Sequence, residues 1–205
     1  MKRNYLVGYK VFFGLLGFSA IVTEIAAIAV RGRWNPGNFF SFFTIESNIL
    51  AVVSLLIGAF LIYAKKKSKK ADYFRGAVTL YMVITGIIFS VLLSGIEGIS
   101  LTAVPWDNVV LHYIIPVAIA LDWIADRSVY ISFKKALPWL AFPILYLVYS
   151  LLRGPIVGWY PYPFLNPANG GYGTVFVTSV IIAIVGVVLV YVVTRFSGKT
   201  KTSKK

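Results

Sequence analysis

The chain of 205 residues contains no cysteine, a single histidine and only seven acidic residues. Without cysteine it has no disulfide, no thiolate metal site and no cysteine nucleophile. One histidine also excludes a zinc site built from several imidazoles. Charged residues make up 13% of the chain, whereas soluble domains carry about 25%. With 59% hydrophobic residues, this composition excludes a soluble enzyme, a disordered tail and a secreted disulfide scaffold, and it indicates a membrane-embedded protein.

Long hydrophobic runs dominate what is present. Six of them approach or exceed the length needed to cross a bilayer core of about 30 Å, at positions 7–29, 39–64, 77–95, 109–124, 137–152 and 173–194. They are too continuously apolar for barrel strands, which alternate at every second residue. The sequence therefore predicts an all-α polytopic membrane protein. One six-helix transmembrane domain covers residues 1–196, and residues 197–205 form a basic disordered tail.

The distribution of basic residues predicts the orientation. Of the 20 lysines and arginines, 17 fall at the two termini and in the second and fourth connectors, and three (Arg31, Arg33 and Arg153) fall in the other connectors. The positive-inside rule then places both termini in the cytoplasm of a cell-membrane protein. Basic runs at helix ends meet anionic headgroups, so the net charge of +13 indicates membrane lipids rather than nucleic acid as partners. The first run has a basic start like a signal peptide, but its length and Glu24 favour an uncleaved helix.

Ionisable residues inside the runs are few, and such groups face a cavity or a partner. Glu46 and His112 lie in the first turns of the second and fourth predicted helices, and Glu24 lies near the outer end of the first. The topology therefore brings them together at the outer leaflet. Asp122 lies about 15 Å deeper than His112 at 1.5 Å per residue. We expect it to pair with a basic residue near the inner face.

Within the hydrophobic runs, the segment FFTIESN (42–48) holds the densest group of polar side chains. Thr44 and Asn48 share a helix face with Ser47 beside them, while Glu46 points to the other side. Hydrogen bonding between helices is one explanation of such residues. His112 precedes Pro116 by four residues, and a proline without an N–H predicts a distorted helix beside the histidine.

A threonine hydroxyl becomes a nucleophile when a base removes its proton. His112 is the one side chain suited to that role at neutral pH. Backbone N–H groups at the start of the second helix would favour an oxyanion near Thr44. Thr44 and His112 are therefore a candidate acyl-transfer dyad.

Three segments, FFTIESN (42–48), LHYIIP with LDW (111–116 and 121–123) and YPYPFLN (160–166), resemble a bacterial family of six-helix membrane proteins without an assigned function. More distantly, the plan is similar to the androgen-induced and androgen-dependent intramembrane threonine hydrolases. Those enzymes cleave fatty-acid esters of hydroxy fatty acids. The resemblance implies Thr44 as nucleophile and His112 as base, because their threonine lies early in the second helix and their histidine has a proline four residues on.

We therefore expect a membrane hydrolase of lipid esters that opens to the outer leaflet. Asn48 or backbone N–H groups would hold the oxyanion, Glu46 or Glu24 would orient His112, and Ser47 would complete the substrate site. No metal or cofactor motif is present. A small-solute transporter or channel and a non-catalytic scaffold are the alternatives. The proline-rich connector at 153–172 either covers the outer polar cluster or lies on the headgroups.

Overall fold

The computed structural model describes residues 3–96 and 102–198, and six of its helices are long and apolar enough to cross a membrane. They are α1 (Arg3–Val30), α2 (Phe43–Tyr63), α3 (Lys69–Leu93), α4 (Pro105–Ala125), α5 (Phe133–Val157) and α6 (Gly171–Arg195). The described part of the chain contains no strand. The expectation of an all-α protein with six candidate spans is confirmed.

Two helix boundaries differ from the sequence prediction in ways that affect the site. A separate short helix, Pro36–Phe39, is capped by the side chain of Asn35, so α2 begins at Phe43 rather than at residue 39. Thr44 is therefore the second residue of α2. The second difference is at the end of α5. This helix continues to Val157 rather than ending at residue 152, and it is capped by Gly158, whose positive φ of 65° favours glycine. The connector expected at 153–172 is thus shorter, because its first five residues are helical.

The third span lies at the centre of the bundle and the fifth at its edge. In α3, 61% of the most apolar stretch of 18 residues is buried, whereas in α5 the corresponding share is 11%. Helix α3 packs on α2, α4 and α6. Aromatic side chains bridge the space between α5 and α2, with the rings of Phe142 and Tyr146 lying 5.5 Å and 5.1 Å from the ring of Phe43. The space between α3, α5 and α6 is left partly open.

The bundle has two ends along the helix axes, which we call its two faces, and contacts between distant segments mark each of them. On the terminal face, Lys10 of α1 meets Asp122 of α4, and Ser197 meets Ile131. On the opposite face, which we call the site face, Glu24 of α1 accepts hydrogen bonds from the backbone N–H of Ala103. The terminal face holds both ends of the described chain.

A buried ion cluster connects three helices near the terminal face. Lys10 and Asp122 are 1% and 2% exposed and form a salt bridge, and Arg75 of α3 lies 3.5 Å from Asp122 Oδ2 and 2.7 Å from Asp126 Oδ2. The stem of Lys10 crosses Gly58, where a Cβ atom would come within 3.2 Å of its Cδ. The expectation that Asp122 pairs with a basic residue is confirmed. Charges at this depth persist because each is paired.

The start of the predicted disordered tail is ordered. Ser197 Oγ donates to the carbonyl of Thr194 and accepts from the N–H of Ile131, and the N–H of Gly198 donates to Val129 O. These bonds fix the end of α6 to the connector before α5, which corrects the prediction for residues 197 and 198. Residues 199–205, the rest of that predicted tail, lie outside the described residues.

We expect Asp122→Asn to lower the stability of the purified protein by about 3 kcal/mol or more, because it leaves the buried ammonium of Lys10 without a counter-charge. Asp126→Asn should cost less, since the side chain of Asp126 is 23% exposed and its main-chain carbonyl also holds Arg75. The melting temperatures of both variants in detergent test this. Equal melting temperatures would contradict it.

Candidate active site

Thr44 and His112 are in contact on the site face. Thr44 Oγ1 lies 3.2 Å from His112 Nε2, although the residues are 68 positions apart in sequence. Both side chains are buried, at 6% and 3% exposure. The structure therefore places the two side chains of the candidate dyad within hydrogen-bonding distance.

The hydrogen bonds of His112 determine which ring nitrogen carries the proton. Nδ1 lies 3.0 Å from the backbone carbonyl oxygen of Asn108. A carbonyl only accepts, so Nδ1 must donate, and in the neutral ring Nε2 is then the acceptor facing Thr44. The ring of Phe89 stacks on the imidazole at 4.0 Å and fixes its plane. The expected orienting carboxylates, Glu46 and Glu24, are replaced in this role by a main-chain carbonyl.

A π-helical turn, Val110–Ile114, carries His112, which confirms the predicted distortion before Pro116. In this turn the N–H of Ile115 bonds to Val110 O rather than to Leu111 O. The next residue, Pro116, has no N–H to offer. The freed carbonyl of Leu111 accepts instead from Asn48 Nδ2 at 3.1 Å. A polar side chain of α2 thus compensates the local distortion of α4.

Asn48 is fully buried, and its side-chain amide holds main-chain carbonyls in place. Its Nδ2 also donates to Thr44 O at 2.8 Å, so both amide hydrogens are used by main-chain carbonyls. The predicted role of Asn48 in holding an oxyanion does not fit this arrangement, because no donor remains. Its other amide atom, Oδ1, has no partner among the described residues.

The other predicted residues lie around the pair, and among the described residues their side chains form no hydrogen bond with the Thr44 hydroxyl or the imidazole. Ser47 Oγ lies 2.9 Å from Thr85 Oγ1 and 3.2 Å from Thr44 O, so it links α2 to α3. Glu46 is half-buried with an unpaired Oε2, and within the described residues it forms no ion pair with Arg31 or Arg33. Glu24 lines the same cavity as Thr44 but is tied to Ala103.

Tyr162, which sequence analysis missed as a site residue, is the third side chain at the pair. Its hydroxyl accepts from the backbone N–H of Thr44 at 3.2 Å and lies 3.3 Å from Thr44 Oγ1. Burial raises the pKa of Tyr162, although the hydrogen bonds from Thr44 oppose the rise. The hydroxyl therefore stays protonated at neutral pH. Its position between two prolines in the YPYP segment was the available signal, since such a segment presents its side chains rigidly.

The connector that carries Tyr162 covers the pair. Phe42 packs edge-on against Trp159 and Tyr162, and Arg153 donates to Asn38 Oδ1 at 2.7 Å. Of the two alternatives drawn from the sequence, these contacts favour a covering segment over one that lies on the headgroups.

Two cavities meet at Thr44 and Tyr162. One, of about 300 Å³, opens on the site face and is lined by His112, Glu24, Arg31 and Arg33 together with apolar residues. The other, of about 160 Å³, is almost wholly apolar and lies between α3, α5 and α6. Phe89 lines the second cavity and covers one face of the His112 ring. The arrangement places a hydroxyl and an imidazole where a polar and an apolar compartment join.

Comparisons with protein-family models, with curated proteins and with solved structures found no match for this chain.

We expect Asn48→Ala to destabilise the protein by about 1–3 kcal/mol, because it strands the buried carbonyl of Leu111. Ser47→Ala, one position away, should cost less, since Thr85 already has the carbonyl of Tyr81 as a partner. Melting temperatures in detergent compare the two. A larger loss for Ser47→Ala would contradict this account of the helix contact.

Proposed function

We propose that the protein is an intramembrane hydrolase of lipid esters, with Thr44 as nucleophile and His112 as base. The single observation that carries the proposal is the contact of 3.2 Å between Thr44 Oγ1 and His112 Nε2. The bond from Nδ1 to Asn108 leaves Nε2 free to accept a proton. This is the geometry that activation of a weak hydroxyl nucleophile requires.

The reaction divides into two acyl transfers. His112 Nε2 removes the proton of the Thr44 hydroxyl as Oγ1 attacks the ester carbonyl carbon. The tetrahedral intermediate then collapses, the imidazolium gives its proton to the departing alkoxide, and an acyl-threonine remains. Water, deprotonated by the same imidazole, attacks the acyl carbon and releases a fatty acid and free Thr44. The Asn108 carbonyl stabilises the imidazolium in each half-reaction.

Tyr162 is the proposed oxyanion donor. Its oxygen receives a hydrogen bond from the Thr44 N–H and lies 3.3 Å from Thr44 Oγ1, so its own hydrogen is directed to the reacting oxygen, next to which the negative charge would develop. Backbone donors are scarce here, because the N–H groups of Ile45 and Glu46 both bond to Phe42 O. The raised pKa of Tyr162 keeps that hydrogen in place. A preorganised donor in a dry site is worth about 2.7–4 kcal/mol.

The two cavities support a lipid-like substrate. An acyl chain fits the apolar cavity, whose walls include Ile144 and Val187, residues that are 52% and 41% exposed on the lipid-facing surface. The polar part of the ester would occupy the cavity near Arg31 and Arg33. The ester bond would then lie at Thr44, which lines both. Entry from the side, through the bilayer, follows from the exposed apolar walls.

The proposed orientation places the site face outside and both termini in the cytoplasm. It rests on the 17 basic residues at the termini and in the second and fourth connectors. Substrate would then come from the outer leaflet of the cell membrane.

The alternatives find less support. A transporter needs a polar path from Glu46 towards Asp122, but buried apolar side chains of α2 and α4, including Leu55, Ile115 and Ile119, lie between these depths. A scaffold without a site predicts that all its buried polar groups are paired. The unpaired Glu46 Oε2 and the two cavities at Thr44 favour a ligand-binding function instead.

We expect a fluorophosphonate probe to label the purified protein at Thr44. Thr44→Ala should abolish labelling, and His112→Ala should slow it by about 100-fold or more because the base is lost. Tyr162→Phe should give an intermediate loss. Labelling rates measured by in-gel fluorescence provide the comparison.

The matched control is Thr79→Val, which removes a buried threonine hydroxyl whose bond to Arg75 O lies away from the site. It should label like the wild type. Equal rates for wild type, Thr44→Ala and His112→Ala would contradict the dyad, as would no labelling of any of them while a control hydrolase reacts.

The absence of native cysteine makes the orientation directly testable. We expect a cysteine at Ala168, an exposed position on the site face, to react with a membrane-impermeant maleimide on intact cells. A cysteine at the exposed Lys135 on the other face should react only after lysis. The reverse pattern would invert the proposed topology.

A further inference from the structure

A third cavity lies on the terminal face, remote from Thr44. It has a volume of about 460 Å³ and is enclosed by the start of α1, the end of α2, the start of α3 and the segment after α4. It shares no lining residue with the cavity on the site face. Neither the dyad nor its substrate accounts for it.

Positive charge dominates the walls of this cavity. Six lining residues are basic and two are acidic, namely Arg3, Lys10, Lys65, Lys66, Lys67 and Arg75 against Asp72 and Asp126. Lys10 and Arg75 are engaged in salt bridges, whereas the three consecutive lysines form none with the described residues. An excess of unneutralised cations in a concave space raises the local concentration of anions.

The start of α3 adds to this positive charge. Ser68 caps the helix by accepting from the N–H of Ala71, and both residues line the cavity. The N-terminal end of a long helix carries partial positive charge. Arg75, one turn further along, is 5% exposed, and its Nε has no acceptor among the described residues. Asp122, Asp126 and the ring of Trp123 engage the rest of this guanidinium, so Nε is the part of it that remains for a ligand in the cavity.

The remaining walls are apolar. Ile57, Leu61, Ile62 and Phe74 lie beside the cations. Apolar walls do not stabilise a free inorganic ion, whereas they can pack against the glycerol and first methylenes of a phospholipid. The cavity also lies at the helix ends, at the level where headgroups lie.

We propose that this cavity binds the phosphate headgroup of an anionic phospholipid from the leaflet next to the terminal face. The lysines at 65–67 and the start of α3 contact the phosphate, Arg75 forms the floor, and the apolar wall contacts the glycerol and acyl carbons. The site is separate from the dyad, so it stands whether or not the protein is a hydrolase.

The test uses the purified full-length protein in a nonionic detergent and measures its melting temperature against three probes. These are dioctanoyl phosphatidic acid, dioctanoyl phosphatidylcholine and inorganic phosphate. We expect a saturable rise with phosphatidic acid and none with phosphatidylcholine. A saturable rise with inorganic phosphate at similar concentration would overturn the lipid and leave a free-anion site.

Two double variants locate the binding. Lys66→Gln with Lys67→Gln removes two exposed cations of the cavity, and Lys134→Gln with Lys135→Gln removes two exposed cations of the same face outside it. We expect the first pair to weaken phosphatidic acid binding about tenfold or more, and the second to change it less than about twofold. Equal weakening by both pairs would show diffuse surface attraction and overturn the site, as would the absence of saturable binding to the wild type.

Discussion

The amide of Asn48 joins the two helices that carry Thr44 and His112, and the geometry of the candidate site depends on it. One amide group donates to a carbonyl of its own helix and to a carbonyl of α4 that the π-turn has freed. In an apolar medium the carbonyl of Leu111 would otherwise be unpaired, at a cost of about 1–3 kcal/mol. The relative position of α2 and α4 is therefore set at the level where the hydroxyl and the imidazole meet.

Charged groups lie towards the two ends of the bundle, with mainly apolar side chains between them. The site face holds neutral hydrogen-bonding groups together with charged ones, among them Glu24, Arg31 and Arg33. The terminal face holds the paired charges of Lys10, Asp122 and Arg75. Among the described residues, the two cavities of the site face differ in lining, one containing charged side chains and the other almost wholly apolar.

Much of this arrangement is predictable from sequence, because membrane burial restricts what polar residues can do. The six spans follow from hydropathy, and the pairing of Asp122 follows from its depth. Thr44 and His112 could be chosen because few other residues in the runs bear reactive groups. Their contact could not be deduced, since helix rotation depends on packing that the hydrophobic pattern of a membrane helix leaves undetermined.

The parts that sequence analysis missed are mostly backbone effects. The group that orients His112 is the carbonyl of Asn108, and no side-chain pattern identifies a carbonyl. The amide of Asn48 was assigned to an oxyanion because the freed carbonyl of Leu111 was not foreseen. Tyr162 lies in a connector 118 residues from Thr44. Asp107, buried beside Glu24, lies in the first turn of α4, which begins at Pro105 rather than at residue 109.

The π-turn at Val110–Ile114 has a further consequence for how this chain tolerates insertions and deletions. A π-turn holds one residue more than an α-turn of the same rise, and one residue corresponds to about 100° of rotation around the axis. Loss of a single residue there would let α4 relax to a regular helix while its lower half kept its packing. Both flanking parts of α4 would keep their orientation, because the shorter turn has the same rise, but His112 lies inside the turn and its imidazole would change its angle about the helix axis relative to α2. The length of this short segment is therefore under tighter constraint than the identity of most of its side chains.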